Sequence, residues 1–377
     1  MTQSTAASAR PREAGIVGAA IVAHAPQFLS LPVSEDLDQV ARVKAAMQTV
    51  GDGLRALEPD LVIVISNTHG EELVFHCVPP FAIHCGDRAQ GRDGHKGWWA
   101  IDGEAGAALT EHLYDEGFDP AFSMDLEVGT AFTIPHEFCG FTREQAFLPI
   151  FINAYTPPQP RPERCFAFGR ALARSLERMG RRAVVIASGG LSHYPATPMY
   201  PKPDLVTDRE IFQKIAAGNL LHVMSFDAAR LDRSGNVENR ALQILAGAIG
   251  DHVPDLAVFE PSWHHIYAIA GWTSGLAESS YVPLYPGFRA SYSSLGRAIH
   301  TLVVSDAAVA DFLADRQAYA MRYALPEDQV EALIALDEDV LRERYSINPM
   351  MTYQAKNRTG GKLKNRERPV SAGSPSR

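Results

Sequence analysis

The chain has no apolar run approaching the ~20 residues that cross a bilayer, and its first fifteen residues, MTQSTAASARPREAG, lack the apolar core of a secretory leader. Cysteine is scarce. Cys77, Cys85, Cys139 and Cys165 show neither CxxC pairing nor regular spacing, which excludes a disulfide framework or zinc ribbon and suits reduced thiols packed into a core. Positive charge is in deficit: the formal net charge is -9, although residues 356–377 hold seven Lys or Arg against one Glu. The rest of the chain is therefore more acidic still, which argues against nucleic acid as a partner. These absences lead to an expectation of a cytoplasmic protein with neither a nucleic-acid nor a membrane partner.

What is present is a set of short, continuous apolar runs: GIVGAAIVAH at 15–24, DLVIVISNTH at 60–69 and RRAVVIASGGLSH at 181–193. Runs this short, rich in Val and Ile and not alternating with polar residues, read as strands buried on both faces. Residues 34–57 carry a Ser cap, early acidic residues and apolar spacing of three and four, and residues 165–180 end in a glycine; both read as helices. The order predicts an α/β fold with a mostly parallel or mixed sheet flanked by helices. Between the second and third runs, the segment CGDRAQGRDGHKGWWAIDG reads as a mobile flap, and DLAVFEPSWHHIYAIAGWTSG as one strand and a turn. The expected organisation is a flexible N-terminus (1–14), a catalytic domain (15–295), a small all-helical module (296–355) and a disordered basic tail (356–377).

Each of the three apolar runs ends in a histidine: His24, His69 and His193. Parallel strands present their carboxyl ends at one edge of a sheet, where such folds bind ligands, so the three imidazoles can meet. If two of them bind metal, one carboxylate completes the 2-His-1-carboxylate set that holds Fe(II) and leaves positions open. Glu238, after a glycine turn and before a helix in GNVENRALQILAGA, is the best candidate. Gly189 and Gly190 are expected to let the backbone turn sharply ahead of His193.

In this order, AHAPQF, ISNTHGEE, SGGLSHYP and GNVENRALQILAGA resemble the class III (LigB-type) extradiol ring-cleavage dioxygenases over roughly residues 15–285. LPEDQVEALIALDEDVLRERYSINPMM looks like the small LigA-type subunit fused behind the catalytic part. The resemblance implies that His24, His69 and Glu238 bind Fe(II), that His193 is the acid/base, and that a small aromatic diol and O2 are the substrates. It also implies a homodimer. One departure stands out, because the family often carries a second active-site histidine where LEVGTAFTIPHEF places Thr130; His136, six residues on, is a possible substitute. This leaves room for a hydroxypyridone or another substituted ring. His264, His265 and Tyr267 are further candidates for the substrate pocket, as are His95 and Arg240.

The same ligands suit a Zn hydrolase using a metal-bound water. A non-catalytic binding protein of the Memo type shares the scaffold.

Overall fold

The computed structural model describes residues 14–67, 73, 77–276, 285–287 and 289–360. The chain divides into two compact units, Met1–Ser279 and Ser280–Arg377. In the first, β1 (Gly15–Val22) leads through α1 (Gln27–Ser30) and α2 (Leu37–Ala56) to β2 (Leu61–Ser66). Next come β3 (Phe81–His84), β4 (Arg88–Gly91), β5 (Gly97–Ala100), α3 (Gly103–Asp115), β6 (Ala121–Ser123), α4 (Thr130–Phe138) and β7 (Leu148–Ile152). The helix α5 (Pro162–Arg178) returns to β8 (Arg182–Ser188). After it lie α6 (Leu205–Ala216), α7 (Ala228–Arg233), α8 (Asn239–Ile249), β9 (Leu256–Pro261) and β10 (Ile266–Trp272).

Eight strands form one sheet in the order β6-β3-β7-β2-β8-β1-β10-β9. Its centre is parallel, β7-β2-β8-β1, and β10 and β9 join it antiparallel. Residues 255–275 thus supply a two-stranded hairpin rather than one strand and a turn. Alternation along β1 explains why the apolar runs are continuous: Ala19 and Ile21 face a core built with α3, α5, α6 and α8, whereas Ala20 and Val22 face one built with α2 and α4. Both faces are covered, so both parities must be apolar.

The segment expected to be a mobile flap pairs β4 with β5 in a small sheet of its own. Neighbouring residues on a strand point to opposite faces, which leaves Trp98 exposed and Trp99 buried. On the far side, α5 and α8 approach backbone to backbone. A Cβ at Gly169 would lie 1.9 Å from the Ile244 carbonyl, and one at Gly247 would lie 2.0 Å from that of Phe166. That close seat fixes α8, which begins one residue after Glu238.

The second unit contains α9 (Ser293–Val304), α10 (Asp306–Ala314), α11 (Arg316–Met321), α12 (Glu327–Ala335), α13 (Glu338–Glu343) and α14 (Pro349–Thr359). Leu295, Ile299, Leu302, Phe312, Tyr319, Leu333 and Leu341 make its separate core. The division falls at Ser279/Ser280, earlier than residue 296, and Leu295 of α9 belongs to the core of the second unit. The expected tail also starts too early: α14 runs to Thr359, with Ala355 buried. Residues 361–377 and 1–13 lie outside the described residues. Among the described residues, no helix is long and apolar enough to cross a membrane.

Candidate active site

The register of the central strands brings the site together. Val22 of β1 pairs with Ser188 of β8, so the residues following both strands emerge side by side. His24 sits two residues past β1, and its Nδ1 lies 2.8 Å from Ser188 Oγ. Ser188 Oγ has one hydrogen, which it donates to the Ala131 carbonyl at 2.7 Å. The oxygen must therefore accept from His24 Nδ1–H, which turns Nε2 to the interior, where it carries a lone pair whenever the ring is neutral. A ligating histidine needs this kind of support from its other nitrogen.

Glu238 is buried at the cap of α8. Its Oε2 accepts the Gly190 N–H at 2.9 Å, and its Oε1 accepts Asn67 Nδ2–H at 3.1 Å and the Tyr155 hydroxyl at 3.0 Å. Glu238 Oε1 lies 3.6 Å from His24 Nε2 and 3.5 Å from His193 Nε2. Burial alone would raise the Glu238 pKa, but the adjacent His193 and His24 rings overcome it and hold the carboxyl well below its usual range. Burial disfavours the charged His193 ring, yet the Glu238 carboxylate outweighs it and raises the imidazole pKa. His193 Nδ1 faces the Leu191 carbonyl at 3.1 Å, so that nitrogen carries the hydrogen, and Nε2 faces the Tyr155 hydroxyl at 2.8 Å.

A buried histidine nitrogen facing a buried carboxylate oxygen across 3.6 Å places two electron-pair donors where a divalent cation suits both. His69 lies outside the described residues. Among the described residues no three His, Cys, Asp or Glu side chains converge as a complete metal site, so two of the three expected ligands are brought together here.

Residues 18–275 match the family model for the catalytic LigB subunit of aromatic ring-opening dioxygenase. The chain belongs to the LigB family. Similar curated proteins are the 2,3-dihydroxyphenylpropionate/2,3-dihydroxicinnamic acid 1,2-dioxygenases of Mycobacterium ulcerans (31% identity over 64% of this chain and 73% of that one) and Cupriavidus necator (30% over 50% and 58%). A second such enzyme of Pseudomonas putida is 30% identical over 48% of this chain and 58% of its own. The chain thus spans a little over half the length of two of these relatives. A crystal structure of an uncharacterized Escherichia coli K12 protein, at 16% identity and TM-score 0.45 over 67% of this chain and 99% of that one, is too distant to bear on the fold.

In this LigB-family chain the other candidates separate. Thr130 is buried at the first turn of α4, beside the Ala131 carbonyl that receives Ser188. His136 packs against Trp99, Phe141 and Phe147, and burial pushes its pKa down to about 4. It is a core side chain on α4, because the face of that helix carrying position 136 turns into the apolar layer. His95 likewise pairs its Nδ1 with Thr133 Oγ1 at 2.8 Å and lies 3.3 Å from Glu137. Arg240 is absorbed by the Pro160 and Val237 carbonyls, which makes it a brace.

The hairpin places His265 flat on His193, with ring centroids 4.3 Å apart and planes 10° from parallel. Tyr267 follows at 5.1 Å from His265, with its hydroxyl near Ser262 and Glu35, and burial pushes its pKa up. His264 turns the other way, 3.2 Å from Glu35 and stacked on Tyr200. Gly189 and Gly190 have no left-handed backbone. Gly190 is needed for close approach instead, since a Cβ there would sit 1.5 Å from His265 Nε2, whereas one at Gly189 would meet Glu238 at 3.3 Å, a tight contact that a small shift relieves.

Three functional residues escaped the reading of the sequence. Asn67 and Tyr155 both hold Glu238. Asp208 on α6 is fully buried and accepts Ser192 N–H, the Ser192 hydroxyl and Asn236 Nδ2, so it ties the His193 loop to the Glu238 loop. Asn67 and Tyr155 both follow the carboxyl end of a parallel strand, which is the signal that identified the histidines.

Proposed function

We propose that this LigB-family chain is a non-haem Fe(II) extradiol-type dioxygenase, which opens a catecholic ring with O2 and leaves both oxygen atoms in the product. The observation that carries the reading is that His24 Nε2 and His193 Nε2 each lie within 3.6 Å of Glu238 Oε1 at one sheet edge. His24 and Glu238 would hold the iron, with His69 as the expected third ligand. Bound there, ferrous iron supplies open coordination positions for two vicinal ring oxygens and for O2, and a path for electrons between them. The ring itself furnishes the electrons that reduce O2, so no external reductant enters.

The chain's own residues handle protons and water. His193, its Nδ1–H fixed by Leu191 O, offers Nε2 to a ring hydroxyl and can return that proton as the ring opens. His265 covers one face of that imidazole and keeps it from rotating. Asn67 and Gly190 hold the two Glu238 oxygens in a fixed orientation. The curated relatives are named for a 2,3-dihydroxyphenyl compound, which supports a vicinal diol as the substrate class.

The test is anaerobic Fe(II) loading, addition of a panel of catechols, gallates and hydroxypyridones, and measurement of O2 uptake against coloured ring-opened product. Equimolar uptake and product, with label from oxygen-18 gas recovered at both new oxygen positions, supports the proposal. Turnover that persists without O2, or with zinc alone, overturns it in favour of hydrolysis.

A further inference from the structure

We infer that Asp208 is a positioning residue: from a helix packed into the core it clasps the loop that carries His193, and through that loop it sets kcat without setting metal retention. The inference rests on the function proposed above and extends it to a residue that no motif marks.

His193 sits on no helix or strand. β8 ends at Ser188 and α6 begins at Leu205, and residues 189–204 between them form neither. Asp208 lies in the first turn of α6, a helix whose Ile211 and Ile215 are buried in the core it shares with α5 and α8. Its carboxyl group is fully buried and faces donors from two loops. Oδ1 accepts Ser192 N–H at 3.1 Å and Asn236 Nδ2–H at 3.0 Å, while Oδ2 shares the Ser192 N–H at 3.2 Å and meets the Ser192 hydroxyl. Ser192 Oγ in turn accepts the Asp204 N–H at 2.7 Å, so one hydroxyl gathers both ends of the loop onto Asp208.

The two loops do not depend on Asp208 equally. Asn236 donates its N–H to Leu231 O at 2.9 Å, accepts Asn239 N–H at 3.0 Å, and reaches Ser234 O and Oγ with Nδ2, each at 3.2 Å. Glu238 then follows at the cap of α8, which Gly169 and Gly247 seat against α5. Without Asp208 that side keeps these supports. Ser192, by contrast, directs both its N–H and its hydroxyl at Asp208, so their loss leaves two buried donors that the loop must move to satisfy. His193 is the next residue and moves with it. Proton transfer needs the ring within hydrogen-bond reach of the substrate, so a shift of about an ångström is enough to slow it. Geometry rather than charge makes the clasp: Oδ1 faces two N–H donors, so a proton on this carboxyl group sits on Oδ2 beside Ser192 Oγ, and Oδ1 accepts in either state.

The experiment compares wild type with Asp208→Ala and Asp208→Asn. In Asp208→Ala, amide hydrogen exchange read by mass spectrometry should run ~10-fold or more faster over residues 190–196 and keep the wild-type rate over α8, a split that general weakening of the fold does not give. After anaerobic Fe(II) loading, iron per chain should match wild type, as should KM for the panel compound that wild type opens fastest, while kcat falls by ~10–100-fold. Asp208→Asn keeps an acceptor at Oδ1 and can donate from Nδ2 to Ser192 Oγ, so it should recover most of both losses. Exchange that changes equally in the two segments or in neither overturns the inference. So does an unchanged kcat, iron lost together with kcat, or an asparagine variant as impaired as the alanine one. If wild type opens no ring, the function proposed above fails, and the exchange split alone decides whether Asp208 fixes the His193 loop. Should Asp208→Ala not fold, Ser192→Ala, which removes the hydroxyl and keeps the N–H, must give the same split.

Discussion

Replacing Gly190 with alanine tests why a glycine stands three residues before His193. The added Cβ would lie 1.5 Å from His265 Nε2 and 2.5 Å from two ring carbons, whereas an ordinary contact needs ~3.5 Å or more. The ring would have to retreat by ~2 Å. It has little room to do so, since one face lies on His193 at 4.3 Å and Tyr267 stands at 5.1 Å. Overpacking of this kind costs ~1–3 kcal/mol, and loss of the ring stack adds ~1 kcal/mol. Together these predict a fall in Tm of roughly 5–15 °C, using the few degrees per kcal/mol typical of a unit this size. Thermal unfolding by circular dichroism gives the shift, and initial rates should fall with it because His193 loses its covering ring. Gly190→Ala combined with His265→Ala should cost less than the two single changes summed, by ~1 kcal/mol or more. A Gly190→Ala protein with the wild-type Tm, or strict additivity in the double variant, would refute the packing argument.

Asp208 supplies a pH test. Burial, opposed by the Ser192 and Asn236 hydrogen bonds, raises its pKa from 3.8 to about 7. From pH 3.8 up to about 7 the unfolded chain gives up this proton while the folded one keeps it, so folding loses up to ~4 kcal/mol over that window and no more above it. Asp208→Asn should flatten the change in urea midpoint between mildly acidic and neutral pH, and parallel slopes in the two proteins would contradict this. His136→Phe should keep turnover close to wild type, because that imidazole is held neutral in an aromatic core; a large loss of kcat in a folded variant would return His136 to the site.

The parts of this fold that show in the sequence are those in which burial acts on consecutive residues. The strands β1, β2 and β8 lie between two helical layers, so their interiors are apolar on both parities and polar side chains such as Ser66 and Ser188 mark the sheet edge; His24 and His193 were found this way. Glu238 was reached only by asking which acid could complete two histidines, because a carboxylate at a helix start is ordinary: Asp36, Asp102, Asp204 and Asp227 cap helices of this chain as well. His136 misled because sequence does not show which face of a nine-residue helix turns inward. Gly190 was noticed for the wrong reason: its neighbour across the packing, His265, is 75 positions away and nothing local announces it. Tyr155 and Asp208 act through contacts between loops distant in the chain, and the register of the sheet, which no short window contains, decides those contacts.

The central claim is that His24 and Glu238 hold a ferrous ion while His193 stands beside it to move protons. Iron retained per chain after anaerobic loading and gel filtration, measured for wild type and for the His24→Ala, Glu238→Ala and His193→Ala variants, tests it most directly. The account predicts that the first two variants lose their iron and that His193→Ala keeps it while ceasing to open the ring. Iron held at the wild-type level by Glu238→Ala, or lost from His193→Ala alone, would contradict it.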